Sequence, residues 1–160
     1  MNEETRTKLL RVGARAIVAA LAKHKVRGRD IARLPIQEPY AGEACLTVEA
    51  CRPGDVLVLE RPVGRLPDRL MQRLAGAIAR RELRNLPVAA GDVVLRDRTS
   101  LVVVPGGLAD TVAEEAAEAA AFEEFTAEQV NQGGGVYGLH IPSGERARQA
   151  FAQWRRLKGR

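Results

Sequence analysis

GDVVLRDRTSLVVVP, residues 91–105, is the stretch on which the fold turns. Val93 and Leu95 precede the polar run Arg96-Asp97-Arg98-Thr99-Ser100, and Leu101, Val102, Val103 and Val104 follow it. Bulky and β-branched residues on both sides of a polar turn predict a β-hairpin. Pro105, Gly106 and Gly107 end its second strand, because proline cannot donate to a ladder and glycine weakens it. An acidic, alanine-rich helix is expected to follow at once, from about Leu108 to Gln132, with Asp110 and Thr111 as candidate caps. Gly133, Gly134 and Gly135 then stop that helix. They follow a helix and do not precede one, so they read as a C-cap and not as a phosphate cradle.

Upstream of the hairpin, Pro67 and Asp68 open a second helical pattern with Leu70, Met71, Leu74, Ala75 and Ile78 on one face. If it persists to Arg84, then Arg65, Arg69, Arg73, Arg80 and Arg84 share a sector about a hundred degrees wide. Such a run reads either as a solvated face or as a docking stripe for an acidic partner or an RNA backbone. Cys45 to Val48 and Val56 to Leu59 read as strands about the turn Arg52-Pro53-Gly54-Asp55. Residues 3–24 read as one helix through Leu9, Leu10, Val12, Ile17, Val18 and Leu21, and residues 27–42 as a connection. Val136 to Ile141 is a short extended piece, and Ser143 is expected to cap a last helix bearing Phe151, Trp154 and Leu157. PGDVLVLE at 53–60 and AGDVVLRD at 90–97 share a turn, an aspartate and a valine-rich strand. Each aspartate is assigned to closing its turn through its own side chain, in preference to catalysis.

The chain has 160 residues, 46% of them hydrophobic and 4% aromatic. That is the size of a single ordinary domain, with a core of Leu, Val, Ile and Ala that suits helices packed on a sheet. No segment has the length and apolarity of a membrane span, so a cytoplasmic protein with no membrane partner is expected. Cys45 and Cys51 have no histidine or further cysteine at metal-ligand spacing and read as reduced core or boundary residues. His24 ends a basic helix and His140 lies in the tail, and both read as surface or packing residues.

The formal net charge of +5 is unevenly placed. Residues 1–98 hold 19 Lys or Arg against 12 acids, residues 110–128 hold seven acids and no base, and the last sixteen residues hold six bases and one acid. A basic excess is compatible with nonspecific RNA affinity, but no basic run is interleaved with aromatics, so specific base readout is not expected.

Together, VEACRPGDVLVLE at 48–60, AAGDVVLRDRTSLVVVPGGLADTV at 89–112 and FEEFTAEQVNQGGGVYGLHIPSGERARQAFAQW at 122–154 resemble the RraA-like family, and ETRTKLLRVGARAIVAAL at 4–21 is similar to its opening helix. The family includes the regulator of RNase E activity and the metal-dependent class II pyruvate aldolases, which cleave 4-hydroxy-4-methyl-2-oxoglutarate and decarboxylate oxaloacetate. The resemblance implies an α/β class fold, a swivelling α/β/α domain with a mixed sheet flanked by helices. It further implies assembly as a homotrimer or hexamer, with the active site at a subunit boundary. In the lyases an acid begins the helix after the PGDV strand. An Arg-Asp pair follows the next strand, the arginine holding the oxoacid carboxylate and the aspartate helping to hold Mg2+ or Mn2+.

The chain departs from that pattern at the site. In one alignment Gly64 to Met71 matches the helix start and Arg84-Asn85 stands where Arg-Asp is expected. Arg84 is then the substrate-binding candidate, and Asn85 and Asp68 are the weak metal candidates. In the other alignment Asn85-Leu86-Pro87-Val88 matches a later segment and the catalytic loop with its strand is absent. The low β-branching of Leu74 to Arg80 and the shortness of the chain favour the second. The expected function is therefore that of a noncatalytic oligomeric regulator or binding partner of the RNase E regulator type. It would assemble with itself or with a longer paralogue and dock through Arg69, Arg73 and Arg80. The alternative is a divalent-metal-dependent aldolase or oxaloacetate decarboxylase.

Overall fold

The computed structural model describes residues 1–26, 38–61, 66–83, 86–98, 100–133 and 145–159. They group into two compact units, Met1–Ala117 and Glu118–Arg160. Among them the first unit carries helices α1 (Glu3–Arg11), α2 (Ala14–Lys23) and α3 (Asp68–Met71). Its strands are β1 (Tyr40–Cys45), β2 (Val56–Leu59), β3 (Gly76–Ala79), β4 (Val93–Arg96) and β5 (Leu101–Val104). Helix α4 (Ala109–Asn131) runs on into the second unit, which also holds α5 (Glu145–Leu157).

The five strands form one mixed sheet in the order β3-β2-β1-β4-β5. β1, β2 and β3 are parallel to one another, β4 is antiparallel to β1, and β4 and β5 form the expected hairpin, with Val93 opposite Val104 and Arg96 opposite Leu101. Side chains alternate across the strands. Tyr40, Ala44, Val56, Val58, Ile78, Val94 and Leu101 gather on one face, while Cys45, Leu57, Leu59 and Ala77 meet the half-buried Leu66, Leu70 and Leu74 on the other. Both aspartates of the repeated turn act as the sequence implies: Asp55 accepts from the Arg52 N–H at 2.7 Å and Asp92 from the Ala89 N–H at 2.9 Å. Asp92 also accepts from the Gly106 N–H at 3.1 Å, which ties the start of β4 to the turn after β5.

Four expectations are corrected. The first helix is broken in two at Val12 and Gly13, where the chain becomes extended and Asp97 accepts from the Ala14 N–H at 3.4 Å to restart it. The first strand lies earlier than expected, at residues 40–45, and residues 46–50 form turns. The second helical pattern stops after one turn: Gly76–Ala79 is a strand paired along its length with β2, followed by a short 3-10 helix, Arg80–Leu83. Pairing with a buried valine-rich neighbour outweighs the weak intrinsic preference of Gly-Ala-Ile-Ala. Finally, Cys45 and Cys51 are joined as a disulfide, with Cα atoms 5.3 Å apart, because the turns at 46–50 bring the chain back on itself.

The second unit places the three phenylalanines and the only tryptophan in a small core of its own. Phe122 and Phe151 meet edge to face at 5.3 Å, an arrangement worth about 0.5–1.5 kcal/mol beyond the area it buries. The Trp154 indole N–H donates to Glu128 at 2.7 Å, and Lys158 pairs with the other oxygen of that carboxylate. Gly133, with φ +83°, ends α4 as expected; Gly134, Gly135 and Ser143 lie outside the described residues. No helix among the described residues is long and apolar enough to cross a membrane.

Candidate functional site at the carboxyl ends of β2 and β3

In parallel sheets the strands deliver polar side chains to their carboxyl ends, where ligands are commonly bound. Leu59 and Ala79 are register partners, so the residues that follow, Glu60 and Arg80, emerge abreast. Arg80 Nε lies 2.6 Å from Glu60 Oε1, with the glutamate side chain 77% exposed and the arginine side chain 37%. The contact is an ion pair with an exposed carboxylate, and contributes at most about 1 kcal/mol to stability. At the site, the Arg80 guanidinium that directly follows β3 already has a carboxylate beside it.

Asp68 is the first residue of α3, in the position a helix-start acid would take, and is exposed. Arg69 follows it and is exposed. Arg73 lies beyond α3, and its carbonyl accepts from the Gly54 N–H at 2.8 Å, at the amino end of β2. The expected stripe of arginines on one helix face is therefore corrected: Arg69 sits on a one-turn helix, Arg73 in the turn after it, and Arg80 beyond a strand. A helix carried through to Arg84 is incompatible with β3. Arg65, Arg84, Asn85 and His140 lie outside the described residues. A strand before Arg84-Asn85, which the second alignment takes to be absent, is present as β3, and the 3-10 helix Arg80–Leu83 follows it.

Among the described residues no group of three His, Cys, Asp or Glu side chains is placed to hold a metal ion. Asn85, an amide where the resemblance implies a carboxylate, lies outside the described residues.

The acidic helix is partly engaged within its own unit. Thr5 donates to Asp110, and Lys8 pairs with Glu114 and Glu4, which raises the Lys8 pKa through the hydrogen bonds of the two carboxylates. His24 Nε2 lies 3.0 Å from Glu115, and Lys23 lies 3.4 Å from the same carboxylate. Desolvation works against ionisation of Glu115, but the hydrogen bonds from His24 and Lys23 prevail and hold its pKa below the usual carboxylate value.

Glu60 was not among the site candidates read from the sequence. Its mark in the sequence is its place directly after the valine-rich strand VLVL.

No protein-family model matches the chain, and no curated protein matches it. Among solved structures it is similar to an uncharacterized protein from Pseudomonas syringae pv. tomato str. DC3000, with a TM-score of 0.60 at 14% identity, over 88% of this chain and 98% of that one. It is also similar to Streptomyces coelicolor RraAS2, described as an unusual member of the RNase ES inhibitor RraA protein family. That match has a TM-score of 0.56 at 22% identity, over 79% of this chain and 97% of that one. The likeness is one of fold: a mixed α/β, RraA-like arrangement of sheet and helices.

Proposed function

We propose that this chain is a noncatalytic, RraA-like binding protein that assembles with copies of itself or with a longer RraA-like paralogue and regulates a partner of the RNase E type. The observation that carries this reading is the residue set at the carboxyl ends of β2 and β3. Arg80 is paired with Glu60, and an asparagine stands at position 85 where the lyases of the family carry a metal-holding aspartate. The Streptomyces protein of similar fold is described as belonging to a family of RNase ES inhibitors, which supports a ribonuclease as the partner. Arg69 and Arg73 are exposed and supply positive charge for an acidic docking segment.

The reading is tested by co-purification with an RNase E-type protein at low and high salt. Capture at low salt that weakens at high salt and on the double substitution Arg69→Glu, Arg73→Glu is expected. Salt-insensitive capture, or capture indifferent to the two reversals, contradicts docking through these arginines; capture abolished by ribonuclease treatment assigns the contact to RNA.

The presence of β3 favours a second reading, a metal-dependent aldolase or oxaloacetate decarboxylase. In it Arg84 holds the oxoacid carboxylate, while Asp68 and Asn85 are the residues left to hold Mg2+ or Mn2+. The amide at 85 weighs against it, because it lacks the charge that makes a carboxylate a ligand for a hard cation.

A further inference from the structure

Leu46, Thr47, Val48, Glu49 and Ala50 leave the carboxyl end of β1 and return at Cys51, and all five are exposed. Among the described residues their hydrogen bonds stay local. The Ala50 N–H donates to Thr47 Oγ1 at 3.3 Å and the Cys51 N–H to the Val48 carbonyl at 3.3 Å. The Cys45–Cys51 disulfide closes the base of this loop. Its two residues, 4% and 9% exposed, pack on Leu57 beside the half-buried Leu66, Leu70 and Leu74 of the α3 crossover. Leu46, Thr47 and Ala50, together with Arg52, Asp55 and Gly91, also line a cavity of about 270 Å³.

We propose that the Cys45–Cys51 bond is a reversible thiol switch: reduction by a dithiol frees loop 46–50 and removes one wall of the cavity while the sheet stays folded. A thiolate of the reductant attacks Sγ of Cys51, the less buried residue of the pair, and the disulfide breaks with Cys45 leaving as a thiolate. The second thiol of the reductant attacks the mixed disulfide, releases Cys51 as a thiolate and departs as the oxidised disulfide. Two electrons pass to the protein, and the two thiolates take protons from solvent.

The sheet survives because β1 is hydrogen-bonded on both sides, to β2 and to β4, independently of the disulfide. A bond that closes so short a loop also restrains the unfolded chain less than one that closes a long loop. Among the described residues the loop itself is held by the packing of Cys51 on Leu57 and by the two hydrogen bonds within it, so it has less to hold it than the paired strand has. The switch does not depend on whether the chain binds a partner or a substrate.

Glu49 provides the readout. Air-oxidised protein and protein kept in dithiothreitol are digested with a glutamate-specific protease, and cleavage after Glu49 is followed by mass spectrometry. Cleavage roughly tenfold or more faster in the reduced protein is expected, since proteolysis tracks local opening. The doubly substituted Cys45→Ser, Cys51→Ser chain should be cut at the reduced rate without reductant. Amide exchange in β1 and β4 should be the same before and after reduction. Equal cleavage rates, or two thiols alkylated in the air-oxidised protein, overturn the proposal. So does loss of β1 and β4 protection on reduction, which would make the bond a structural staple.

Discussion

The ring of Tyr40 lies so close to Gly76 that a Cβ at that position would stand 2.7 Å from its Cε1 atom. Tyr40 begins β1 and Gly76 begins β3, with β2 between them, so the ring reaches across a strand to a backbone position that carries no side chain. Gly76→Ala is expected to destabilise the protein by about 1–3 kcal/mol through overpacking, measured as a shift in denaturant midpoint. Combined with Tyr40→Leu, the alanine should cost less than it does alone, because the two changes share one contact. Strict additivity would show that the ring does not set the position of β3.

The two turn aspartates should differ. Asp55 holds one backbone N–H of its own turn, whereas Asp92 holds Ala89 N–H and also Gly106 N–H beyond β5. Asp92→Ala is expected to cost more than Asp55→Ala, each lost bond to a carboxylate being worth about 1.5–3 kcal/mol. Thermal unfolding of the two variants decides it; equal shifts would mean that the link from β4 to the turn after β5 carries no stability.

Glu115 gives the stability an acid dependence of known sign. Its pKa is lowered in the folded chain, so its contribution is fully present above the ordinary carboxylate value of 4.5 and is lost as pH falls through the lower folded value. Denaturant midpoints measured from pH 6 downward should fall less steeply in Glu115→Gln than in the parent chain. An identical slope would show that the His24 and Lys23 contacts do not stabilise the folded carboxylate.

The hairpin at 93–104 and the long helix after it were legible because their causes are local: alternation about a polar turn, then a proline and two glycines. β3 was not, because Gly-Ala-Ile-Ala carries little β preference and Leu70 and Leu74 continue a helical spacing into it. Its identity comes from β2, some twenty residues earlier in the chain. At the break beside Gly13 the Ala14 N–H likewise finds a distant partner, Asp97. The Glu60–Arg80 pair needed both the parallel pairing and its register, neither of which leaves a mark in spacing.

The substitution of asparagine at position 85 is most directly tested by pyruvate release from oxaloacetate with Mg2+ or Mn2+. A noncatalytic chain is predicted to release pyruvate no faster than the same metal in buffer, and Arg84→Ala to leave that rate unchanged. Turnover above the metal background that disappears in Arg84→Ala would contradict it and establish the lyase.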